Sequence, residues 1–416
     1  MHSLQPIKLF EHQSKALDET YEFDRVAYYH DMGLGKTFTG SEKMYELNTP
    51  YNLLICQKSK IADWKKHYED HYNYKVIIYD KQNIEIIPEE SVIIVNYERA
   101  WRRPELAKLT DFTLILDESS LIQNESSKQS KFILSLQPDH VILLSGTPTG
   151  GRYERLWSQL HLLGWKISKP LFWKQYVAQE WDEIESQYKI IGYKNVERLK
   201  SKMRQHGCHF LKTDEVFDLP LQTDVVIDCK TTSLINTFRR DSMVNVEEIT
   251  LIGDTAATAL LYMRQLCGHY NPDKIAQLKT LIESTEDRLI IFYNFQAECD
   301  VLKQICEQYE RHYSVVNGKE KDLTAFEEYG NSITLVQYQA GAMGLNLQKA
   351  NKIVYFTLPL GSERFEQSKK RTHRIGQKKP CFYYYLMTKN SVEWRIWSIL
   401  KERRDYTDEL FKEEEL

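Results

Sequence analysis

The sequence predicts an α/β protein of two lobes, each a parallel sheet flanked by helices, with a helical insertion after the first lobe. Three observations carry this expectation. At 416 residues the chain exceeds what one hydrophobic core usually serves. Short aliphatic or β-branched runs alternate with helix-length mixtures of polar and apolar residues, the pattern of strands covered by helices. That rhythm lapses near residue 152 and resumes near residue 221.

In the first part the strand-like runs are 26–30, 53–56, 76–79, 92–97, 113–117 and 141–145. From Arg152 to about Leu219 the chain is rich in Trp, Tyr, Lys and Glu at helical spacing, so this stretch reads as the helical insertion. Asp218-Leu219-Pro220 ends it and opens an extended run, 223–229. The later runs are 289–293, 313–316, 333–337, 353–357 and 382–387, the last a buried strand of the second lobe. The expected divisions are therefore 1–151, 152–220 and 221–416.

Hydrophobic residues make up 42% of the chain and charged residues 27%, as in ordinary globular protein. No run reaches the roughly 20 apolar residues of a membrane helix, and Met1 to Lys15 lacks the apolar core of a secretion signal. Seven cysteines without a C-x-x-C pair fit reduced thiols, so a cytosol is the expected location. The cluster His206-Gly207-Cys208-His209 has no second ligand pair and reads as core or surface rather than a metal site, and Cys299 and Cys306 read as core. A net charge of −4 gives no global pull toward nucleic acid, so any such contact must come from clustered Lys and Arg.

After the run 26–29 comes Asp31-Met32-Gly33-Leu34-Gly35-Lys36-Thr37 and then a helix-compatible segment, the strand, turn and helix setting of a P-loop. Gly33 and Gly35 let backbone N–H groups approach phosphate, and Lys36 can reach the β- and γ-phosphates of ATP. Thr37 would coordinate Mg²⁺. Leu114-Ile115-Leu116-Asp117-Glu118 supplies the carboxylates such a site needs at a neighbouring strand end, Asp117 for the metal and Glu118 to polarise the attacking water. Alone, an apolar run ending in Asp-Glu is a common strand terminus; beside a P-loop it is a catalytic pair.

With these residues in place the chain resembles the Swi/Snf branch of the superfamily-two helicases, in order from Gln13 to Trp394. Gln13 resembles the adenine-reading glutamine, Ser59 with Trp64 a following motif, and Asn96-Tyr97 a third. Leu144-Ser145-Gly146-Thr147-Pro148-Thr149 is similar to the motif whose hydroxyls, here Ser145 and Thr147, couple the nucleotide site to the DNA path. Ala340-Gly341-Ala342-Met343-Gly344-Leu345-Asn346-Leu347 is similar to the Gly-rich motif of the second lobe. Gln367-Ser368-Lys369-Lys370-Arg371-Thr372-His373-Arg374-Ile375-Gly376-Gln377 matches the Q-x-x-x-R-x-H-R-I-G-Q ending of this branch.

The resemblance implies two RecA-like lobes, ATP and Mg²⁺ as cofactors, and a double-stranded-DNA-dependent ATPase that translocates without obligatory strand separation. Arg371 and Arg374, three apart on an expected helix, would act as arginine fingers. Gly344 and Gln367 would lie with the nucleotide, and Gly341, Asn346 and Lys349 along the DNA. Lys349, Lys352, Lys369 and Lys370 are candidates for sequence-independent phosphate contacts. Two departures stand out. Ser119-Ser120 replaces the family's small residue and His after Asp-Glu, and Gln337-Tyr338-Gln339 stands where Ser or Thr and a basic residue often precede the Gly-rich motif. A strand-separating DNA or RNA helicase is the nearest rival, and an ATP-dependent DNA clamp with little hydrolysis is the rival of another class. A compact monomeric form of phage or bacterial origin is expected.

Overall fold

The computed structural model describes residues 7–80, 84–183, 186–339 and 345–411, with side chains as far as residue 404. The chain divides into two compact units between Val216 and Phe217, the second running to Arg404.

The first unit is built on strands β1 (Arg25–His30), β2 (Tyr51–Cys56), β3 (Lys75–Ile78), β4 (Ser91–Asn96), β5 (Phe112–Asp117) and β6 (His140–Leu144). A hairpin of β7 (Val177–Asp182) and β8 (Gln187–Tyr193) follows, and β9 (Cys208–Leu211) returns to the main sheet. The sheet order is β3-β4-β2-β5-β6-β1-β9, and all its pairings are parallel. Because side chains alternate across a strand, each central strand feeds two cores. Ala27, Tyr29, Leu53, Ile55, Leu114 and Leu116 pack on one face. Val26, Tyr28, Leu54, Cys56, Ile115 and Leu144 pack on the other, under helices α1 (Glu11–Glu19), α2 (Lys36–Leu47) and α3 (Ile61–His71). Burying such side chains contributes about 1.5–3 kcal/mol each, which explains why these runs hold their places in the sheet.

The second unit holds β10 (Gln222–Cys229), a hairpin of β11 (Met243–Val246) and β12 (Ile249–Ile252), then β13 (Leu289–Tyr293), β14 (Tyr313–Val316), β15 (Ile333–Gln337), β16 (Lys352–Tyr355) and β17 (Cys381–Thr388). Its main sheet, β10-β17-β16-β13-β15-β14, is again parallel throughout. Ile290, Phe292, Ile353 and Tyr355 face one core, and Leu289, Ile291, Tyr293 and Val354 face the other. All seven cysteines are free and buried, Cys299 and Cys306 in the second of these cores. No helix among the described residues is long and apolar enough to cross a membrane.

The stretch expected as a helical insertion holds strands as well as helices. It carries the helices Trp157–Leu162, Lys169–Tyr176 and Val196–Gln205, but also three strands. The β7–β8 hairpin is exposed at most positions and joined by the cross-strand pair Trp181 and Tyr188, ring centroids 5.0 Å apart, so it shows no buried alternation to read. Strand β9 enters beside β1 through Gly207, whose φ of +76° and approach to the Arg25 carbonyl leave no room for a side chain: a Cβ there would sit 2.2 Å from that oxygen.

Candidate nucleotide site

Strands β5, β6 and β1 are neighbours in a parallel sheet, so the segments leaving their carboxyl ends emerge side by side, where ligands of such sheets bind. After β1, Gly33 (φ +95°) and Gly35 (φ +73°) take the left-handed turn that admits glycine, and Gly35 is the N-cap of α2, which starts at Lys36. Lys36 and Thr37 thus occupy the first turn of a 12-residue helix whose positive end faces the loop. Lys36 Nζ donates to the carbonyls of His30 at 2.8 Å and Asp31 at 3.2 Å. Gln13, buried on α1, donates through Nε2 to the carbonyls of Gly35 (3.0 Å) and Leu34 (3.3 Å) and accepts from the Phe10 N–H at 2.8 Å. A Cβ on Gly35 would lie 2.3 Å from that amide nitrogen, so any side chain there would push the Gln13 amide off the loop.

Asp117 ends β5, and its Oδ2 accepts from the Trp64 indole Nε1 at 2.8 Å. Burial pushes the Asp117 carboxyl above its usual range, opposed by the Trp64 hydrogen bond and by the positive charge of Lys36. The lysine and the carboxylate therefore share one field. Tyr97 lies under the same turn, its hydroxyl donating to the carbonyls of Asp117 (2.9 Å) and Glu118 (3.4 Å). Glu118 has φ +57°, a left-handed backbone that a residue with a Cβ adopts at a cost of about 1–3 kcal/mol. Asn96 bonds through Nδ2 to Glu98 at 2.6 Å, and Ser59 is exposed in the short turn before α3.

After β6, the Thr147 N–H donates to Ser145 Oγ at 3.2 Å and the Ser145 N–H to the Tyr28 carbonyl at 3.3 Å. A Cβ on Gly146 would stand 3.4 Å from the His30 carbonyl and 3.5 Å from Lys36 Nζ, which brings this segment onto the lysine. Gln13, Gly35, Lys36, Trp64, Asp117 and Gly146 thus gather at the carboxyl ends of the central strands of the first sheet. The donor set suits a Mg²⁺-bound triphosphate. Asp117 and Thr37 offer oxygen only, as a hard cation that keeps most of its waters prefers, and among the described residues no cluster of three His, Cys, Asp or Glu offers a competing site. His206 stacks on Trp165, Cys208 is buried, and His209 bonds to His30 at 2.8 Å and Glu19 at 3.1 Å.

In the second unit Gly341 and Gly344 lie outside the described residues. Asn346 is exposed and accepts from the Gln348 N–H at 3.4 Å, and Lys349 pairs with Glu327. The helix expected to carry both arginines ends at Lys369, so Arg371 and Arg374 lie in the turn beyond it. The cause is non-local: the Leu347 N–H takes the Arg371 carbonyl at 3.2 Å, and Gln377 Nε2 donates to the carbonyls of Gln348 and Ala350 at 3.0 and 2.9 Å. Arg371 is buried and reaches the Leu345 carbonyl at 3.4 Å, whereas Arg374 is half-buried, its guanidinium pKa lowered by desolvation. Gln367 is buried and donates to Glu363 at 3.3 Å.

Lys369 is corrected as a DNA-contact candidate. It is buried against Asp224 at 2.8 Å with the rings of Tyr383, Phe365 and Tyr385 around its ammonium at 4.6, 5.4 and 5.6 Å. Lys352 pairs with Asp287 at 2.8 Å, and Lys370 is partly buried at the end of the same helix. Of the departing segment before the Gly-rich motif, Gln337 donates to the Asn294 carbonyl at 3.0 Å and Tyr338 to the Thr357 carbonyl at 3.0 Å, so both brace strand ends.

Sequence reasoning missed the link from Thr213 to Asp31, whose Oδ2 accepts from the Thr213 N–H and hydroxyl at 3.2 and 3.3 Å. It also missed Gln159, whose partners are distant in sequence. No local signal marks either.

The SNF2-related domain family matches residues 27–313, and the helicase conserved C-terminal domain matches residues 273–376. The chain is 26% identical to a SWI/SNF-related matrix-associated actin-dependent regulator of chromatin, subfamily A-like protein 1, of Drosophila melanogaster, over 92% of this chain and 53% of that protein. It is 24% identical to the ISWI chromatin-remodeling complex ATPase of Saccharomyces cerevisiae, over 88% of this chain and 37% of that one. The chain therefore spans about half or less of the length of these curated relatives. A solved SWI2/SNF2 ATPase core of Sulfolobus solfataricus in complex with dsDNA aligns with 98% of this chain and 94% of that one, at 19% identity and a TM-score of 0.47.

Proposed function

Because the chain belongs to the SNF2-related family of helicase-like ATPases, we propose that it hydrolyses Mg²⁺-bound ATP and uses the cycle to move along duplex DNA without obligatory strand separation. The observation that carries the reading is the convergence of Lys36, Asp117 and the 145–149 segment at the adjoining carboxyl ends of β1, β5 and β6. In this reading Lys36 holds the β- and γ-phosphates, Thr37 and Asp117 hold the metal, and Glu118 orients the attacking water. Arg371 and Arg374 stabilise the charge of the transferring phosphoryl group, a role assigned from the Q-x-x-x-R-x-H-R-I-G-Q motif.

Duplex DNA as the partner is supported by that motif and by the relatives named as chromatin regulators and remodelling ATPases. In this reading Lys and Arg side chains contact the phosphate backbone, and binding weakens with salt. The test measures ATP turnover with double-stranded, single-stranded and branched DNA and with RNA, beside a strand-displacement assay. Turnover raised by duplex without strand release is the expected result. Equal turnover with and without nucleic acid would overturn the reading.

A further inference from the structure

In the family pattern the residues after Asp-Glu are a small residue and His, and this chain has Ser119 and Ser120, both buried. The Ser119 hydroxyl donates to Gln159 Oε1 at 2.7 Å. The Tyr29 hydroxyl donates to the same oxygen at 3.1 Å, and Gln159 Nε2 donates to the Pro148 carbonyl at 2.8 Å. Tyr29 immediately precedes the His30 and Asp31 carbonyls that hold Lys36; Ser119 follows Glu118; Pro148 lies in the segment after β6. One buried amide, on the helix Trp157–Leu162, therefore joins the three segments that form the candidate site.

The orientation of the amide is fixed by its partners, since the Pro148 carbonyl can only accept and must face the nitrogen. A buried amide with its oxygen twice bonded and its nitrogen bonded to a carbonyl adds rigidity to the segments it joins. Gln159 takes each of its three partners from a different segment of the site.

We propose that Gln159, through Ser119, is the positioning residue that couples the Asp117-Glu118 turn to the 145–149 segment in this chain. It supplies the connection for which the expected histidine is missing. The inference rests on the ATPase reading above. In this arrangement a shift of the 145–149 segment is passed through Pro148, the amide and Ser119 to the backbone that sets Glu118.

The test compares the full chain with Ser119→Ala and Gln159→Met, the latter close in volume and unable to make these hydrogen bonds. Steady-state ATPase is measured with and without duplex DNA, together with KM for ATP and the melting temperature. The coupling role predicts a kcat in the presence of DNA reduced roughly tenfold, one contact's worth of transition-state stabilisation, at a nearly constant KM. The ratio of stimulated to unstimulated turnover falls with it. Should Gln159→Met fail to fold, Ser119→Ala, which removes a single hydroxyl, carries the test. Variants that lose melting temperature yet keep the wild-type stimulation ratio would overturn the inference alone. A wild-type chain that duplex DNA does not stimulate would overturn the underlying ATPase reading.

Discussion

The indole N–H of Trp64, on α3, is bonded to the Asp117 carboxylate at the end of β5, 53 residues away in sequence. This bond stabilises the ionised form of a carboxylate that burial pushes toward its neutral form. Phenylalanine at position 64 would keep an aromatic ring in the core and remove the donor. The Asp117 pKa should then rise further, and since metal binding needs the ionised carboxylate, the acid limb of the kcat/KM profile for ATP should move to higher pH in Trp64→Phe. An unmoved acid limb in that variant would count against the assignment of Asp117 to the metal.

Lys36 lies on the first turn of α2 and bonds to the backbone carbonyls of His30 and Asp31. Lys36→Ala should abolish measurable phosphate release, a loss of at least about 10²–10³ in kcat, as for the removal of one preorganised charge from a transition state. Circular dichroism melting should show the variant folded.

The two arginines should separate by their burial. Arg374→Ala removes a half-buried guanidinium and should cost on the order of 10³ in turnover with little change in melting temperature. Arg371 is buried and bonds to the Leu345 carbonyl, so Arg371→Ala should lose activity and melting temperature together. Equal melting losses in both variants would contradict this division.

Glu298 in the second unit is fully buried and accepts from the Asn294 N–H (2.8 Å), the Phe295 N–H (3.1 Å) and the Thr357 hydroxyl (3.0 Å). Burial dominates and raises its pKa from 4.5 to about 7. A raised carboxyl pKa means that the folded state holds the proton more tightly. The resulting stabilisation is fully present below the unfolded value and is lost as pH rises through about 7. Denaturant unfolding should therefore show stability falling across that window by up to about 3 kcal/mol, and Glu298→Gln should flatten the slope.

The central strands of both main sheets are legible because they are apolar runs buried on two faces, which stand out in the sequence pattern. The P-loop is legible because its chemistry is local, a glycine turn and a lysine within one helical turn of each other. What escapes a reading of the sequence is non-local. Arg371 leaves the expected helix because its carbonyl is claimed by Leu347, 24 positions earlier. Lys369 looks like a surface cation and is instead enclosed by Asp224 and three rings from elsewhere in the chain. The hairpin at Trp181 and Tyr188 buries too little to leave a pattern, and β9 is four residues long with a histidine at its second position.

Strand β9 pairs His209 with Tyr28 and Leu211 with His30, and Thr213 then clasps Asp31 through two hydrogen bonds, only three residues before Val216. The covalent exit from the first unit is thus registered, residue for residue, against the strand that delivers Lys36. Side chains alternate along a strand, so one residue gained or lost between Gly207 and His209 would turn His209 away from His30 and pull the threonine off its aspartate. Length is the least negotiable property of this short span.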